Sequence, residues 1–590
     1  MRPNTPLMKK NNRKLAASYT DFTVHYIQKN REANTSRWNR SYSAGCSDLN
    51  PIDRGRRQLY ESLPFTSVFG MQGRERSFTR TFSNMSMTEL HLAGEKELTV
   101  YEKTIDPGTV TLPLIMAVFI SVISTFLGGY NTGVMNAPES VIFAGHSTLE
   151  WSLAVSVFAI GGPAGAMYGG DAANKHGRKG AIVIDAWFYL LAGILMCFAP
   201  NMYCLICGRA ITGFAAGFTT VIVPIYLGEL APPTLRGTLG TLTQFSFCIG
   251  ILFSYLLAFP LATENGWRVL IGVTPLLAIL QLLCSPLLLE TPRWLLSKDE
   301  HDTVARKNVA ALRGFAEGSA EVEKEIGHMV CAMNVHKTRH SSAHSGGAIK
   351  DLVFSSRMRI LVVSMLVLHT SQQLCGINAV FYYSTSFFQG VISNPLIGTT
   401  LAGAINVIGV YIAMKLMDGC NRRLLMIISG VGMLISCVFL TFALLGMTPN
   451  YVALFAVMTY VTFFEIGFGP IPWLIVAEMF DSKYVATAQS ISCQVNWLAN
   501  FTVGISFPYI SASLGPWSFG PFAVCIALCI IYTYLYLPET ANKSAEEIMG
   551  ALNNPNRAEN NDDKAAFAIA HTVTRTINEN SEAKQEQLMI

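Results

Sequence analysis

The sequence from residue 372 to residue 383 reads Gln372-Gln-Leu-Cys-Gly-Ile-Asn-Ala-Val-Phe-Tyr-Tyr383. It lies in an apolar run from about residue 360 to residue 388, long enough to cross a bilayer and interrupted by amides rather than by charges. An unpaired amide is costly in hydrocarbon, so these side chains are expected to face a protein interior or a water-filled cavity. Gly376 permits a helix break where the amides cluster.

The amides Gln372, Gln373 and Asn378 fall within about two helical turns. Each can donate and accept hydrogen bonds, and a sugar hydroxyl requires both. The alternative is that they bond to neighbouring helices, which is common for a single intramembrane amide. Three amides so close together favour a polyol-binding site.

The composition indicates a membrane protein that crosses the bilayer many times. The 590 residues are 51% hydrophobic and 14% charged, with a mean hydropathy of +0.35, whereas a soluble chain carries about 25% charged residues. The net charge of +4 is too small to indicate nucleic-acid binding. The 13 cysteines form no convincing metal-ligand spacing. We expect no enzyme activity, no metal and no cofactor.

Twelve apolar segments of about 20 residues or more predict an all-α polytopic fold. They lie at about 110–131, 150–170, 180–199, 203–225, 238–260, 268–288, 358–387, 396–416, 424–447, 450–478, 485–510 and 516–537. The predicted divisions are a disordered tail (1–108), a six-helix half (109–289), a linker (290–356), a second six-helix half (357–540) and a C-terminal tail (541–590).

Basic residues mark one side of the predicted membrane. They follow every second span, at Lys175, Arg178 and Lys179, then at Arg236, in the linker, at Arg422 and Arg423, and at Lys483. The alternate loops are nearly free of them. The positive-inside rule therefore predicts that both termini and the linker are cytoplasmic.

The two halves also repeat one another in sequence. Asn131 corresponds to Asn378, Glu229 to Glu478 and Glu290 to Glu539, at offsets of 247 or 249 residues. A polar segment, Asn174-Lys-His-Gly-Arg-Lys179, corresponds to Asp418-Gly-Cys-Asn-Arg-Arg423. Transporters built from such repeats bind substrate between the halves, near the middle of the membrane.

Several ordered motifs resemble the sugar-porter branch of the major facilitator superfamily, and within it the animal-type facilitative glucose transporters. Besides residues 372–383, they are Gly129-Tyr-Asn-Thr-Gly-Val-Met-Asn-Ala-Pro138, Gly208-Arg209, Gly228-Glu-Leu-Ala-Pro-Pro-Thr-Leu-Arg-Gly237, Glu290-Thr-Pro-Arg-Trp294, Gly469-Pro-Ile-Pro-Trp473 and Pro538-Glu-Thr540. The resemblance runs from about residue 110 to residue 550. It implies the major facilitator fold, with two pseudo-symmetric halves and linker helices.

The resemblance also implies a substrate site and two gates. The residues at the family's hexose-contacting positions are Gln244, Gln372, Gln373, Asn378, Asn406, Glu465, Trp473 and Asn496. Tyr382 and Tyr383 would close the outer side. The charged residues that would hold the halves together at the inner side are Arg178, Arg209, Glu229, Arg236, Asp418, Arg422, Arg423 and Glu478. The alternative for these charges is ordinary solvation at helix ends.

The expected function is facilitative transport of a hexose, foremost glucose and with fructose, galactose or mannose as further candidates, across the plasma membrane. Asn131 stands where proton-coupled sugar porters carry Asp, which argues against a proton-coupled symporter. His369 departs from the Gln of glucose-selective members, which weakens the case for glucose alone. A sugar sensor that hardly transports is a second alternative, motivated by the long tails, whose partners the sequence does not name.

Overall fold

The computed structural model describes residues 110–232, 235–340, 352, 358–389, 392–417, 419–480, 484–541, 543, 545 and 547–549, without the side chains of residues 236 and 335–340. Every regular element in these ranges is a helix. The expected all-α polytopic fold is therefore confirmed for the described residues. The predicted tails lie almost wholly outside these ranges.

The first half contains five long helices. They are α1 (Leu112–Gly133), α2 (Thr148–Cys197), α3 (Met202–Leu230), α4 (Arg236–Leu261) and α5 (Trp267–Cys284). The linker forms three further helices, α6 (Pro292–Lys298), α7 (Thr303–Arg313) and α8 (Ala320–His340). We call the side of the bundle that carries α6–α8 the linker face, and the other side the opposite face.

Helix α2 crosses the bundle twice. Its 50 residues would extend about 75 Å, while a hydrocarbon core is about 30 Å thick. The helix breaks at Gly177, where φ is 82° and ψ is 170°. Helix α3 packs against both parts, because Gly208 lies close to Met196 while Gly213 lies close to Phe158. The predicted spans at 150–170 and 180–199 are these two parts.

Glycines let the helices of the first half approach closely. A Cβ at Gly213 of α3 would lie 1.8 Å from the carbonyl oxygen of Phe158 in α2, and one at Gly129 of α1 would lie 1.8 Å from that of Phe247 in α4. Real Cβ atoms cannot come so near. Small residues therefore set the helix spacing here, as is usual in membrane bundles.

The described part of the second half contains eight α-helical segments, because two of its spans are broken. They are α9 (Arg359–Leu374), α10 (Ile377–Phe388), α11 (Pro395–Met417), α12 (Arg422–Leu444), α13 (Asn450–Ile466), α14 (Ile471–Met479), α15 (Val485–Leu514) and α16 (Gly520–Leu535). By length and composition, nine helices of the described chain can cross a membrane, or ten if the bent pair α15–α16 counts as one span. The count of twelve stays a prediction.

The halves meet mainly where α2 packs on α15 and α4 packs on α11. Phe158 of α2 contacts Trp497 of α15, with ring centroids 5.8 Å apart, and Gly403 of α11 lies against Tyr255 of α4. The linker helices attach to the first half, since Arg313 donates to the carbonyl oxygen of Leu230 at 2.8 Å. These contacts set the frame in which the candidate site lies.

Candidate functional site

The helix break at Gly376 positions the central amides. Helix α9 ends at Leu374 and α10 begins at Ile377, with Gly376 in the left-handed region at φ +89°. A Cβ at Gly376 would lie 2.4 Å from the Phe522 ring, so the position excludes any side chain. The break places Gln372 and Gln373 before it and Asn378 after it around one point.

Four predicted residues join in one chain of hydrogen bonds. Asn496 of α15 donates to Gln372 Oε1 at 2.6 Å and accepts from Gln373 Nε2 at 3.0 Å. Asn378 donates to Gln373 Oε1, and Gln372 donates to the carbonyl oxygen of Gly469 at the break between α13 and α14. All four side chains are buried. The structure thus gathers donors and acceptors from three spans in one place.

An imidazole and an indole border this amide chain. Asn496 Nδ2 lies 3.2 Å from the carbonyl oxygen and 3.4 Å from Nδ1 of His369. The His369 ring meets Trp473 of α14 edge to face, with centroids 4.7 Å apart. Trp473 therefore lies beside the amides. Nε2 of His369 is buried without a hydrogen-bond partner among the described residues.

The other three predicted residues lie along α4, α11 and α13. Gln244 Nε2 of α4 is 3.5 Å from the thiol of buried Cys248, which also faces Asn406 of α11 and Glu465 of α13. Glu465 is 3% exposed, and its carboxylate lies beside Gly469, to which Gln372 donates. Cys248, which was not predicted, thus links the Gln244 side of the site to the Asn406 side.

The opposite face is closed by hydrogen bonds between the halves. Asn136 Nδ2, just beyond α1, donates to Phe381 O at 2.7 Å and to Ser384 Oγ at 2.8 Å, and its Oδ1 accepts from Thr385 N at 2.9 Å. Tyr255 Oη of α4 donates to the same Phe381 carbonyl at 2.8 Å. We call these four bonds the latch. A further bond joins Ser386 to Glu139.

Tyr382 and Tyr383 lie beside the latch but bond within their own half. Tyr382 Oη donates to Asn500 Oδ1 at 3.1 Å, and Tyr383 Oη donates to the Gly504 carbonyl at 2.7 Å. Both acceptors belong to α15. The cross-half bonds at this face come instead from Asn136, Tyr255 and the Ser386–Glu139 pair, none of which sequence reasoning selected. The only available signal was that Asn136 lies in the motif that ends at Pro138.

On the linker face, each half contains the same charged cluster. In the first half Arg178 pairs with Glu229 Oε1 at 2.8 Å, and the Arg178 backbone N–H donates to Glu290 Oε1 at 2.9 Å. In the second half Arg422 pairs with Glu478 Oε1 at 3.1 Å, and its N–H donates to Glu539 Oε1 at 3.0 Å. The sequence repeat is therefore a structural repeat. Glu290 and Glu539, used only as repeat markers, belong to these clusters.

The described partners of Arg178 and Arg422 all lie within the half that carries each arginine. These bonds hold each half together in this conformation rather than joining the two. Arg423 bonds to Glu539 and to the Tyr534 carbonyl, again within one half. The side chain of Arg236 and the whole of Asp418 lie outside the described residues. A bridge between the halves in another conformation stays a prediction.

Glu290 caps the helix that restarts after Gly177. Its carboxylate accepts from the N–H groups of Arg178, Lys179 and Thr291. Burial raises the pKa of the Glu290 carboxyl, while these N–H groups act against that rise. A Cβ at Gly177 would lie 2.1 Å from Glu290 Oε2. The glycine is therefore required by its φ, which other residues rarely adopt.

Comparison with known proteins identifies the family. The model of the family "Sugar (and other) transporter" matches residues 116–552. The chain belongs to this family. Mouse facilitated glucose transporter member 2 is 33% identical over 498 residues, covering 74% of this chain and 94% of that protein. Human member 4 is 35% identical over 473 residues, covering 75% and 91%.

A solved structure supports the same fold. The inward-open xylose transporter XylE from E. coli superposes with a TM-score of 0.63 at 24% identity, over 74% of this chain and 99% of that one. The expected major facilitator fold is confirmed by this likeness. By its family model and its relatives the protein is a multi-pass sugar transporter and not an enzyme, and it has the major facilitator fold.

In this sugar transporter Arg209 does not lie in the linker-face cluster, so that expectation is wrong. Arg209 is near the start of α3, about 20 residues or roughly 30 Å along the helix from Glu229. It is fully buried and donates to the carbonyl oxygens of Asn131 at 2.7 Å and Ala154 at 3.1 Å. Its guanidinium also lies 4.7 Å from the Phe158 ring centroid. Sequence order placed it between other charges, but helix length separates them.

Proposed function

We propose that this transporter is a uniporter that moves a hexose, foremost D-glucose, down its concentration gradient. The amide chain through Gln372, Asn496, Gln373 and Asn378 is the observation that carries the proposal. Glucose as substrate and facilitated transport as mode are taken from the names of the facilitated glucose transporters to which the chain is similar.

The amides can exchange their hydrogen bonds to one another for hydrogen bonds to a sugar. In this conformation they pair with one another, and such pairing avoids the cost of a buried polar group without a partner. A sugar hydroxyl can donate to one amide and accept from the next. It then replaces an amide–amide hydrogen bond without leaving either amide unpaired. Asn406 Oδ1 has no partner among the described residues and offers a further acceptor. Trp473 supplies an apolar surface for the C–H groups of the ring.

The latch supports an alternating-access mechanism. It closes the opposite face, while Gln244 of α4 is exposed. We assign this conformation as open to the linker face and the linker face as cytoplasmic, because the basic loops lie there. On this assignment both termini are cytoplasmic and the protein works in the plasma membrane. The clusters around Arg178 and Arg422 keep each half rigid as the halves rock about the site.

The surroundings of Arg209 support uniport. Its hydrogen bonds among the described residues go to backbone carbonyls and to no carboxylate. The nearby Asn131 side chain instead donates to the Leu127 carbonyl and accepts from Thr274. An amide at this position takes up no proton near neutral pH. The alternative is proton-coupled symport, which the buried carboxylate of Glu465 beside the amides favours.

Flux through purified protein in liposomes tests the proposal. Labelled D-glucose should enter until it equilibrates, and L-glucose at the same concentration should enter no faster than into empty liposomes. A sensor would instead bind D-glucose without faster entry. Saturable binding with no flux above the empty-liposome rate would overturn the transport proposal, and equal entry of both enantiomers would overturn the assigned site.

A further inference from the structure

A second intramembrane carboxylate lies in the first half, away from the sugar site. Asp185, in the second part of α2, is 0% exposed. Its Oδ2 accepts from Thr219 Oγ1 of α3 at 2.7 Å, and that hydroxyl also lies 3.4 Å from Tyr189 Oη. Its Oδ1 has no hydrogen-bond partner among the described residues, although Ser124 of α1 faces the carboxyl.

Hydroxyl groups from two neighbouring helices face this carboxyl, Ser124 of α1 and Thr219 of α3. Ser124 Oγ is 2.9 Å from Nε2 and 3.3 Å from Oε1 of Gln281 in α5, which also donates to the Ile120 carbonyl. The side chains near Asp185 are thus the Ser124 hydroxyl of α1, the Thr219 hydroxyl of α3 and the phenol of Tyr189 from its own helix. The Gln281 amide of α5 lies behind Ser124. No salt bridge among the described residues involves Asp185.

A carboxylate in these surroundings cannot stand alone as an anion. Removing an ion from water into a low-dielectric interior is costly unless an opposite charge and hydrogen bonds compensate. Thr219 supplies one hydrogen bond, and no described side chain supplies the charge. The compensating charge must therefore be a small cation that fits between Oδ1 and the neighbouring oxygens.

We propose that Asp185 is a binding site for one monovalent cation, a proton or Na⁺, inside the first half. A proton on Oδ1 makes a neutral acid whose O–H points to Ser124 Oγ. Na⁺ instead takes Asp185 Oδ1 with the hydroxyl oxygens of Ser124 and Thr219, because hard cations prefer oxygen ligands. Either occupant ties α1, α2 and α3 together.

Infrared difference spectroscopy on the purified full chain in lipid nanodiscs tests this site. The spectrum of the Asp185→Asn variant is subtracted from that of the wild type, and Glu465→Gln is measured in parallel to assign the band of the other buried acid. A proton predicts a carboxylic-acid C=O band that Asp185→Asn loses and Glu465→Gln keeps. Na⁺ predicts an ionised-carboxylate band, together with a melting temperature that NaCl raises relative to choline chloride in the wild type but not in Asp185→Asn.

The proposal would be overturned if the infrared band showed an ionised Asp185 and NaCl did not raise the melting temperature of the wild type. Should Asp185→Asn fail to fold, Thr219→Val provides the second measurement. It removes the hydrogen bond to Oδ2 and should shift the Asp185 band under either occupant. An unshifted band in Thr219→Val would mean that the band does not come from Asp185. None of these readouts requires sugar flux, so they are independent of the uniport proposal.

Discussion

Replacing Asn136 with alanine should move the transporter towards the conformation that is open at the opposite face. The substitution removes three short bonds between the halves, to Phe381 O, Ser384 Oγ and Thr385 N, at 2.7, 2.8 and 2.9 Å, and a longer one of 3.4 Å to Val380 O. A hydrogen bond contributes about 0.5–1.5 kcal/mol net, and bonds between membrane helices average about 0.6. Three bonds then bias the equilibrium by about 1.8 kcal/mol or more. Because about 1.4 kcal/mol is tenfold, the population ratio should change at least about tenfold.

The assay is the affinity of an inhibitor that binds only from the opposite face. If the closed form dominates in the wild type, inhibitor affinity should rise by about the same factor as the population of the open form. Tyr255→Phe, which removes one bond, should give about a two- to tenfold rise. Ser254→Ala is the matched control, because its buried hydroxyl donates to Ile251 O of its own helix and has no bond to the other half among the described residues. Unchanged inhibitor affinity in Asn136→Ala, at normal expression, would refute the latch.

Three further changes follow from the same geometry. Asn378→Ala should weaken D-glucose binding roughly tenfold, since leaving a buried partner unpaired costs about 1–3 kcal/mol; wild-type affinity in an equilibrium binding assay would remove Asn378 from the site. Gly213→Ala should abolish the monodisperse peak in size-exclusion chromatography, because its Cβ would lie 1.8 Å from a backbone oxygen of α2. Gly240→Ala is the control and should keep the peak, because the space around Gly240 is open. Equal peaks from the two variants would contradict the close packing. Glu290→Gln should keep most transport, because the amide oxygen still caps the helix, and a large loss of flux would contradict that reason. Gly177→Ala should lose transport because alanine is strained at φ 82°; full flux in Gly177→Ala would contradict the need for glycine.

The sequence was most informative where residue type and spacing act locally. Amides beside a glycine predicted a helix break with a polar site, and the structure brings Gln372, Gln373 and Asn378 together at Gly376. The repeat offset of 249 residues predicted equivalent positions for Glu229 and Glu478. In the structure each of them pairs with an arginine of its own half, Arg178 and Arg422 respectively. Both results depend on periodicity and chemistry that a single chain displays directly. Whether the assembled residues bind sugar stays a prediction.

The sequence was least informative about contacts between distant helices. Asn136 and Thr385 are 249 residues apart, and no local pattern indicates that one caps the other. From the sequence, Arg209 was grouped with the charged residues of the inner cluster, such as Glu229. The two residues lie in the same helix, about 30 Å apart along its axis. Asp185 was a different kind of omission. A lone carboxylate in an apolar span is a visible signal, and it shows that Glu465 is not the only buried acid in the described chain.

Accumulation of labelled D-glucose in liposomes under an imposed pH difference tests the central claim of uniport most directly. The internal concentration should rise to the external concentration and stop there, with the same time course when a protonophore removes the gradient. An internal concentration that climbs above the external one only while the acidic side faces outward would contradict uniport. It would also make Glu465, the carboxylate beside the sugar site, the first residue to replace.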